Sequence, residues 1–410
     1  MSEFLTLTDP KSALSLLMEN LRPQRQVEWV EIQLALGRVT ALPVHANHPL
    51  PAFQRSTVDG YAVRAADTFG SSDTLPVYLR LAGEVPMGAV VGFDLMAGQC
   101  ALIHTGGMLP DAADAVVMLE YTQMVHSGEV EIFRAVAPGE NIIQIGEDVE
   151  KDQIVIPAGC RMRPAEIGGV AALGIHQVAV VKKPSVAILS SGDEVVPLHA
   201  VAHPGQVYDV NTYTLSSLVE QSGGQPVSYG ILPDDRDILE KVARRALQEC
   251  DMVIFTAGSS ASTRDLTSEV INNLGEPGVL VHGVNVKPGK PTILAVCSGK
   301  PVIGLPGNPV SALVIAGLFV SPVIEHWLGF AGTYPKPTIT ARLKVNLASQ
   351  SGREEWIPVS LAYTPDGYLA EPIFGKSNLI FTLVRADGLI CILPDATGMS
   401  AGVEVEVHIL

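Results

Sequence analysis

The chain has 410 residues, 47% of them apolar and 17% charged, with a formal net charge of −16. That length exceeds one ordinary core and predicts roughly two to four domains. The balance of 43 acidic against 27 basic side chains excludes a general affinity for nucleic acid or for an anionic membrane, so an anionic ligand would need a local cluster of lysines.

Thr8-Asp9-Pro10 predicts a helix start, followed by Leu14, Leu17, Met18 and Leu21 at helical spacing. Val27 to Val39 reads as a strand and then a short helix. From Pro49 to about Pro138 short apolar runs alternate with Gly, Pro and Asp, which predicts an inserted all-β domain without a helix of standard length. Gly139 to Lys183 returns to mixed structure, with a helix over Pro164 to Leu173. This segment is expected to join the N-terminal one in a single discontinuous domain.

From Pro184 to Phe330 strands alternate with helices. Val186–Leu189, Val227–Leu232 and Met252–Thr256 read as strands. Helices are expected to be capped by Asn211, opened by Asp234-Asp235, and started by Asp265. Such alternation predicts a parallel-rich sheet with crossover helices. Pro301 to Ile324 is uncharged and long enough to test as a membrane span, but Pro306, Asn308, Pro309 and Pro322 interrupt it. A buried strand, a turn and a buried helix fit it better. After about Phe330 the pattern is β again, over Thr338–Val345, Glu355–Val359, Leu389–Leu393 and Val403–Ile409, as in a small sandwich or barrel. The expected domains are 1–48 with 138–182, 49–137, 183–329 and 330–410.

The five cysteines are scattered, odd in number and form no CxxC, which predicts free thiols in a reducing cytosol. The N-terminus carries no basic-then-apolar leader pattern.

In a doubly wound sheet ligands sit at the carboxyl ends of the strands. Four loops are expected there: Ser190-Ser191-Gly192-Asp193-Glu194, Pro233-Asp234-Asp235, Gly258 to Asp265, and Pro306-Gly307-Asn308-Pro309 with Ser311 in the helix that follows. Small residues between a strand and a helix aim backbone N–H groups at an anion. Magnesium takes a few carboxylates plus phosphate oxygens, which makes Glu194, Asp234 and Asp265 the candidate ligands. Taken singly, Asp234 and Asp265 could be helix caps and Glu194 an exposed loop charge. Lys287-Pro288-Gly289-Lys290-Pro291 puts two ammonium groups on a stiff turn, either an oxyanion clamp or an ordinary surface turn. A further polar cluster, Arg55 to Arg64 around Asp59-Gly60, lies in the β insertion and could be only a hairpin turn. His104-Thr105-Gly106-Gly107 and Gly146-Glu147-Asp148 are other polar loops, whose spacing does not tie them to the α/β site. The GxGxxG, GxxxxGK[ST], HExxH and GxSxG patterns are absent.

Seven motifs in this order resemble the molybdopterin molybdenumtransferase family, which includes the bacterial MoeA proteins and the gephyrin E domain. They are Ser56-Thr-Val-Asp59-Gly60-Tyr61-Ala62-Val63, Gly146-Glu147-Asp148, Ser191-Gly192-Asp193-Glu194, Gly205-Gln-Val-Tyr208-Asp209-Val-Asn211, Lys287-Pro-Gly-Lys290-Pro291, Gly304-Leu-Pro-Gly-Asn-Pro-Val-Ser311-Ala and Ala386-Asp387-Gly388-Leu389. The resemblance covers essentially the whole chain. It implies an α/β multidomain protein: a central molybdopterin-binding domain, an inserted β domain, an elongated N-terminal mixed domain and a C-terminal β-barrel, assembled as a homodimer. It implies a reaction in which adenylylated molybdopterin is cleaved to release AMP while molybdate enters the dithiolene, with Mg2+. By position, Glu194, Asp234 and Asp265 would hold metal and phosphate, and Lys287 and Lys290 would hold anions. Asp59, Thr105 and Asp148 would be contributed by the partner subunit. A molybdopterin adenylyltransferase and molybdoenzyme maturation proteins are the further partners it suggests.

The chain departs from the family's Gly-Gly-x-Ser-x-Gly pattern after Gly258, where Ser259, Ser260, Ala261 and Ser262 stand. Serine hydroxyls could supply donors there in place of bare amides. Thr57-Val58 replaces a frequent Ala-Met, a change expected to be neutral. Two other functions compete with this reading. Adenylylation of molybdopterin would need neither the β insertion nor the C-terminal domain, and a non-enzymatic scaffold of the gephyrin kind would be expected to carry a long linker and an added N-terminal domain.

Overall fold

The computed structural model describes residues 7–125, 128–257, 261–331 and 337–410, with backbone alone at 257 and 261–265. Helix α1 (Pro10–Asn20) opens with proline in its first turn and Asp9 as cap, whose carboxylate accepts the Ser12 N–H at 3.0 Å. Strand β1 (Val27–Glu31) ends in a single 3-10 turn, Ile32–Leu34. It pairs with a strand some 150 residues later in the chain.

The insertion is a six-stranded sheet: β2 (Gly60–Val63), β3 (Val77–Glu84), β4 (Gln99–Ile103), β5 (Ala115–Met118), β6 (Thr122–Val125) and β7 (Glu129–Ile132), in the order β5-β2-β4-β3-β7-β6. Alternating residues of β2 face opposite ways: Tyr61 and Val63 into one apolar cluster, Ala62 into another. Gly60 is fixed by crowding, since a Cβ there would lie 2.0 Å from the Val117 carbonyl oxygen. Only 3-10 turns interrupt this region, so the expectation of an all-β insertion holds among the described residues.

Helix α2 (Pro164–Ala172) leads into β8 (Gln177–Val181), which pairs antiparallel with β1 from Val27↔Val181 to Glu31↔Gln177. At the start of α2 Glu166 reaches back to accept the Arg163 N–H at 2.8 Å.

The α/β region runs β9 (Ser185–Ser191), α3 (Asn211–Ser222), β10 (Gln225–Leu232), α4 (Arg236–Glu249), β11 (Met252–Ala257), α5 (Ala261–Asn272), β12 (Pro277–His282), β13 (Val286–Lys287), β14 (Ile293–Cys297), β15 (Lys300–Pro306) and α6 (Pro309–Trp327). Its sheet has the order β10-β9-β11-β15-β14-β12. The first four strands are parallel, while β14 and β12 are antiparallel additions at one edge. Both faces are covered, which is why the strands read as unbroken apolar runs. Val186 and Ile188 face a core formed with α1, α3 and α6; Ala187 and Leu189 face one formed with α4 and α5. Helix α6 is long and apolar enough to cross a membrane, but 61% of its apolar window is buried inside the protein. It is a core helix, with Ile315, Phe319 and Val320 packed in the first of those cores.

Of three helix starts, those of α3 and α5 differ in detail from expectation and that of α4 agrees. Asp209, not Asn211, caps α3, accepting the Thr212 N–H at 3.1 Å and its hydroxyl at 2.7 Å. In α4 the cap is Asp235, which accepts from the Asp237 and Ile238 N–H groups at 3.0 Å each. Helix α5 begins at Ala261, so Asp265 falls in its second turn and does not start it.

The C-terminal region consists of β16 (Thr338–Leu343), β17 (Glu354–Thr364), β18 (Gly367–Pro372), α7 (Phe381–Val384), β19 (Gly388–Ile392) and β20 (Glu404–Ile409). The strands pair in the order β17-β18-β16-β20-β19, and β19 returns to β17, closing a barrel. Strand β13 of the α/β region pairs parallel onto β17. All five cysteines are free thiols, as expected.

Candidate functional site

The chain passes from β9 to β10 on one side of the sheet, then crosses back to β11 on the other. This reversal between β9 and β11 opens a crevice at their carboxyl ends, where doubly wound sheets hold ligands. After β9 the loop turns at Gly192, with φ +144°. A Cβ there would lie 2.9 Å from the Glu194 Oε2 atom, so the glycine makes room for that carboxylate to fold back over the loop. The Asp234 N–H donates to Asp193 Oδ1 at 3.4 Å, which holds the loops after β9 and β10 side by side.

A cavity of about 630 Å³ lies over these loops. Ser190, Ser191, Glu194, Tyr208, Asn211 and Thr256 line one side, and Gly307, Asn308 and Pro309 the other. Asn211 is 8% exposed, and its amide donates to the Gly307 carbonyl at 2.9 Å. Its Oδ1 atom is buried without a hydrogen-bond partner among the described residues. A buried acceptor left unmade costs about 1–3 kcal/mol, a cost that a ligand donor would remove.

A second cavity, of about 900 Å³, lies between the α/β region and the barrel. The turn Lys287-Pro288-Gly289-Lys290, together with Pro306, Gly307, Asn308 and Ser311, forms one wall. Gly289 has φ +116°, and a Cβ there would lie 2.2 Å from Ile315 Cγ1, so no other residue fits this turn against α6. The opposite wall comes from the barrel: Glu355, Trp356, Lys376, Ser377 and Asn378. Lys287 Nζ pairs with Glu355 Oε1, and Ser349 Oγ donates to Glu355 Oε2 at 2.6 Å. The Lys287 ammonium is the stronger of the influences that hold the Glu355 carboxyl below its ordinary value, against burial, which is the largest single influence and pushes it up. The start of α6 is bound to the barrel as well. The Val310 N–H donates to the Ser377 carbonyl at 3.1 Å, and the Asn308 amide donates to Ser377 Oγ at 3.0 Å. Both cavities are lined by Gly307, Asn308 and Asn378. They are two chambers either side of one turn.

Of the residues singled out in the sequence, Ser191 and Glu194 line the smaller chamber, and Lys287, Pro288, Gly289, Lys290, Pro306 and Ser311 the larger. Gly307 and Asn308 join the two, and Pro309 lines the smaller. Gly192, Asp193 and Asp234 stand on the adjoining loops without lining either. Gly258, Ser259 and Ser260, and the side chains of Ser262 and Asp265, lie outside the described residues. Among the described residues, no three His, Cys, Asp or Glu side chains come together as a metal cage.

The polar loops of the insertion are elsewhere. Asp59 Oδ1 accepts the Thr105 N–H at 2.7 Å and its hydroxyl at 3.1 Å. The Thr105 backbone hydrogen bond is the main reason the Asp59 carboxyl sits below its ordinary value. His104 bridges outward, with Nδ1 3.7 Å from Asp59 and Nε2 3.3 Å from Glu84. Gly106 turns with φ +84°, its N–H donating to the Ser56 carbonyl at 2.8 Å. Asp148 is exposed, and its N–H donates to the Leu50 carbonyl at 3.0 Å. No described residue of the insertion lines either chamber.

Sequence reasoning missed the barrel's share of the site: Ser349, Glu355, Trp356, Lys376, Ser377 and Asn378. A clustering of polar residues in Gly375-Lys376-Ser377-Asn378, within a segment otherwise read as barrel, was the one signal present.

A doubly wound α/β domain with a two-chambered crevice at its strand ends, clasped by a barrel, defines the class of protein. Three family models match the chain in order: the MoeA N-terminal region (domain I and II) over residues 8–174, a "Probable molybdopterin binding domain" over 187–326, and the MoeA C-terminal region (domain IV) over 340–410. Named relatives include the molybdopterin molybdenumtransferase of Nostoc sp., 33% identical over 98% of this chain and 93% of the relative. That of Haemophilus influenzae is 30% identical, covering 97% of each. A crystal structure titled as a molybdopterin biosynthesis MoeA protein from Pyrococcus horikoshii is 31% identical, with a TM-score of 0.86 over 99% of this chain and all of that one. The chain belongs to the MoeA family of molybdenum cofactor biosynthesis proteins.

Proposed function

We propose that this chain is a molybdopterin molybdenumtransferase, taking adenylylated molybdopterin and molybdate and releasing AMP. The observation that carries the reading is the pair of chambers meeting at Gly307 and Asn308, with acidic and hydroxyl-bearing loops on one side and three lysines on the other. A nucleotide-linked pterin is long and anionic in its middle. It needs two recesses and positive charge between them, and the start of α6 adds the positive end of a helix dipole.

Magnesium keeps several waters and binds through one or two carboxylates plus substrate phosphates. Glu194, at the smaller chamber, and Asp234, on the loop tied to it, fit that demand. When bound, the ion would polarise the phosphoanhydride. The chain's own groups do the rest. Lys287 and Lys290 hold oxyanions by charge, Asn211 Oδ1 accepts a donor from the ligand, and the barrel wall with Trp356 excludes water from the larger chamber.

The reading extends to a homodimer, in which Asp59, Thr105 and Asp148 of the partner subunit complete each site. Trp29, Leu34 and Leu36 support it: they are 64%, 69% and 62% exposed on the N-terminal domain, an apolar face suited to a second copy. The protein would act in the cytoplasm, alongside a molybdopterin adenylyltransferase.

The direct test mixes purified protein with adenylylated molybdopterin, magnesium and molybdate. Release of AMP together with molybdenum uptake is expected. If AMP and molybdenum-loaded pterin both fail to appear while folded protein is present, the reading is wrong.

A further inference from the structure

The larger chamber already holds one anionic group, and that group belongs to the protein. Glu355 is 8% exposed at the foot of β17, with its carboxylate on the Lys287 ammonium. Strand β13 brings the two together by pairing Lys287 with Glu355 in register. The Lys287 side chain is 49% exposed and the Glu355 side chain 10%, so the lysine can turn to a ligand and the carboxylate cannot follow it into water.

We propose that Glu355 is an internal counter-ion that an incoming oxyanion displaces from Lys287, and that the displaced carboxylate takes up a proton from solvent. This rests on the reading of the lysine turn as an oxyanion clamp. One ion pair breaks and another forms, the ligand oxygen replacing Glu355 Oε1 at Lys287 Nζ. The proton goes to Glu355, because a buried carboxylate that has lost its cation is neutralised more readily than it is left charged. Burial is the largest single influence on this carboxyl and pushes it up. Once Lys287 is engaged elsewhere, only the Ser349 hydroxyl and the charge of Arg353 oppose burial.

The other ionisable groups nearby do not offer the same proton. Lys290 and Lys376 line the chamber and are already cationic. Glu354 accepts from the Trp356 indole N–H at 3.3 Å, and Cys391, on β19, has its thiol pushed up to about 12 by burial. His408 packs against the Trp356 ring, tilted by 59° with centroids 5.2 Å apart, but does not line the chamber. Glu355 therefore acts as a positioning and selectivity residue. It keeps Lys287 oriented in the empty site and makes weak or diffuse anions compete with a carboxylate already in place.

The test is calorimetric titration of the full-length protein with molybdate, and separately with sulfate. Each is run in two buffers of different ionisation enthalpy, between about pH 6 and pH 8; linkage to one proton lowers affinity about tenfold per pH unit between the pKa of the paired carboxyl and the higher pKa of the freed one, and levels off above the latter. Wild type is expected to take up about one proton per anion at the acid end and to lose affinity as pH rises. Glu355→Gln is expected to bind more tightly, with no proton uptake and a flat pH profile. Binding by wild type without proton uptake, or the same uptake by Glu355→Gln, overturns the proposal while leaving the clamp intact. Failure of both anions to bind overturns the clamp and the proposal with it. Should Glu355→Gln not fold, Ser349→Ala serves: loss of its hydrogen bond should extend proton uptake to higher pH, and an unshifted profile counts against the idea.

Discussion

The two polar regions of this molecule are built differently. At the strand ends of the α/β domain, several groups have a fixed neighbour: Asn211 on Gly307, Asp193 on the Asp234 amide, Lys287 on Glu355, and Ser377 on the first turn of α6. The result is enclosed space. In the insertion, Asp59 accepts from Thr105 and lies 3.7 Å from His104, but these side chains are largely exposed and line neither chamber. In the proposed dimer a second subunit would supply the surface opposite Asp59.

The sharpest way to break that contrast is a mixed dimer. Glu194→Ala and Asp59→Ala should each lower molybdenum insertion by about 10²–10³-fold, the cost of one well-placed polar group, with little change in Tm because both residues are exposed. Co-expressed, the two variants should recover turnover well above either alone, since one site of each mixed dimer carries neither lesion. Recovery that fails to appear would place both groups in one subunit's site, and wild-type turnover in either variant would remove it from the machinery.

Lys287→Ala should have a smaller and double effect. It should weaken molybdate binding and leave the Glu355 carboxylate buried without its cation. Breaking a fully buried pair costs about 3–5 kcal/mol; because Lys287 is half-exposed, roughly 1–2 kcal/mol is expected here, read as a lower denaturation midpoint. Lys287→Ala, Glu355→Gln together should restore most of that stability but not the binding. An unchanged midpoint in the single variant would show that the barrel docks without the pair.

The smallest effect lies away from both regions. Arg163 holds the Glu166 carboxyl down to about 2, from an ordinary 4.5. A depressed folded-state pKa means that the stabilisation is present above the ordinary value and is lost as pH falls from about 4.5 towards 2. Glu166→Ala should therefore cost about 1 kcal/mol near neutrality, with less difference from wild type in acid and no change in turnover. A loss of turnover would mean that the N-terminal domain reaches the site in some further way.

How much of this could be read from the residues divides along physical lines. The alternation of β9, β10 and β11 with α3 and α4 was legible because buried parallel strands are continuously apolar and helices carry caps. The loops after β9, β10 and β15 followed, since topology alone puts them on one sheet edge. The lysine turn was legible as Lys-Pro-Gly-Lys. The opposite wall was not, because Glu355 and Ser377 reach the site only through barrel closure and the pairing of β13 with β17, neither of which leaves a local pattern. Helix starts erred by a few residues for a related reason. Asn211 has cap chemistry, but its amide is committed to Gly307 and Asp209 takes the cap instead.

The first free amide of α6 is met by a carbonyl from the barrel, and the last strand before the lysine turn lends its edge to the barrel sheet. Truncating the chain after α6 would therefore bare a helix end and a strand edge at the very turn that divides the chambers. The final eighty or so residues are thus integral to the crevice, and a shortened protein should be judged as one with half a wall missing.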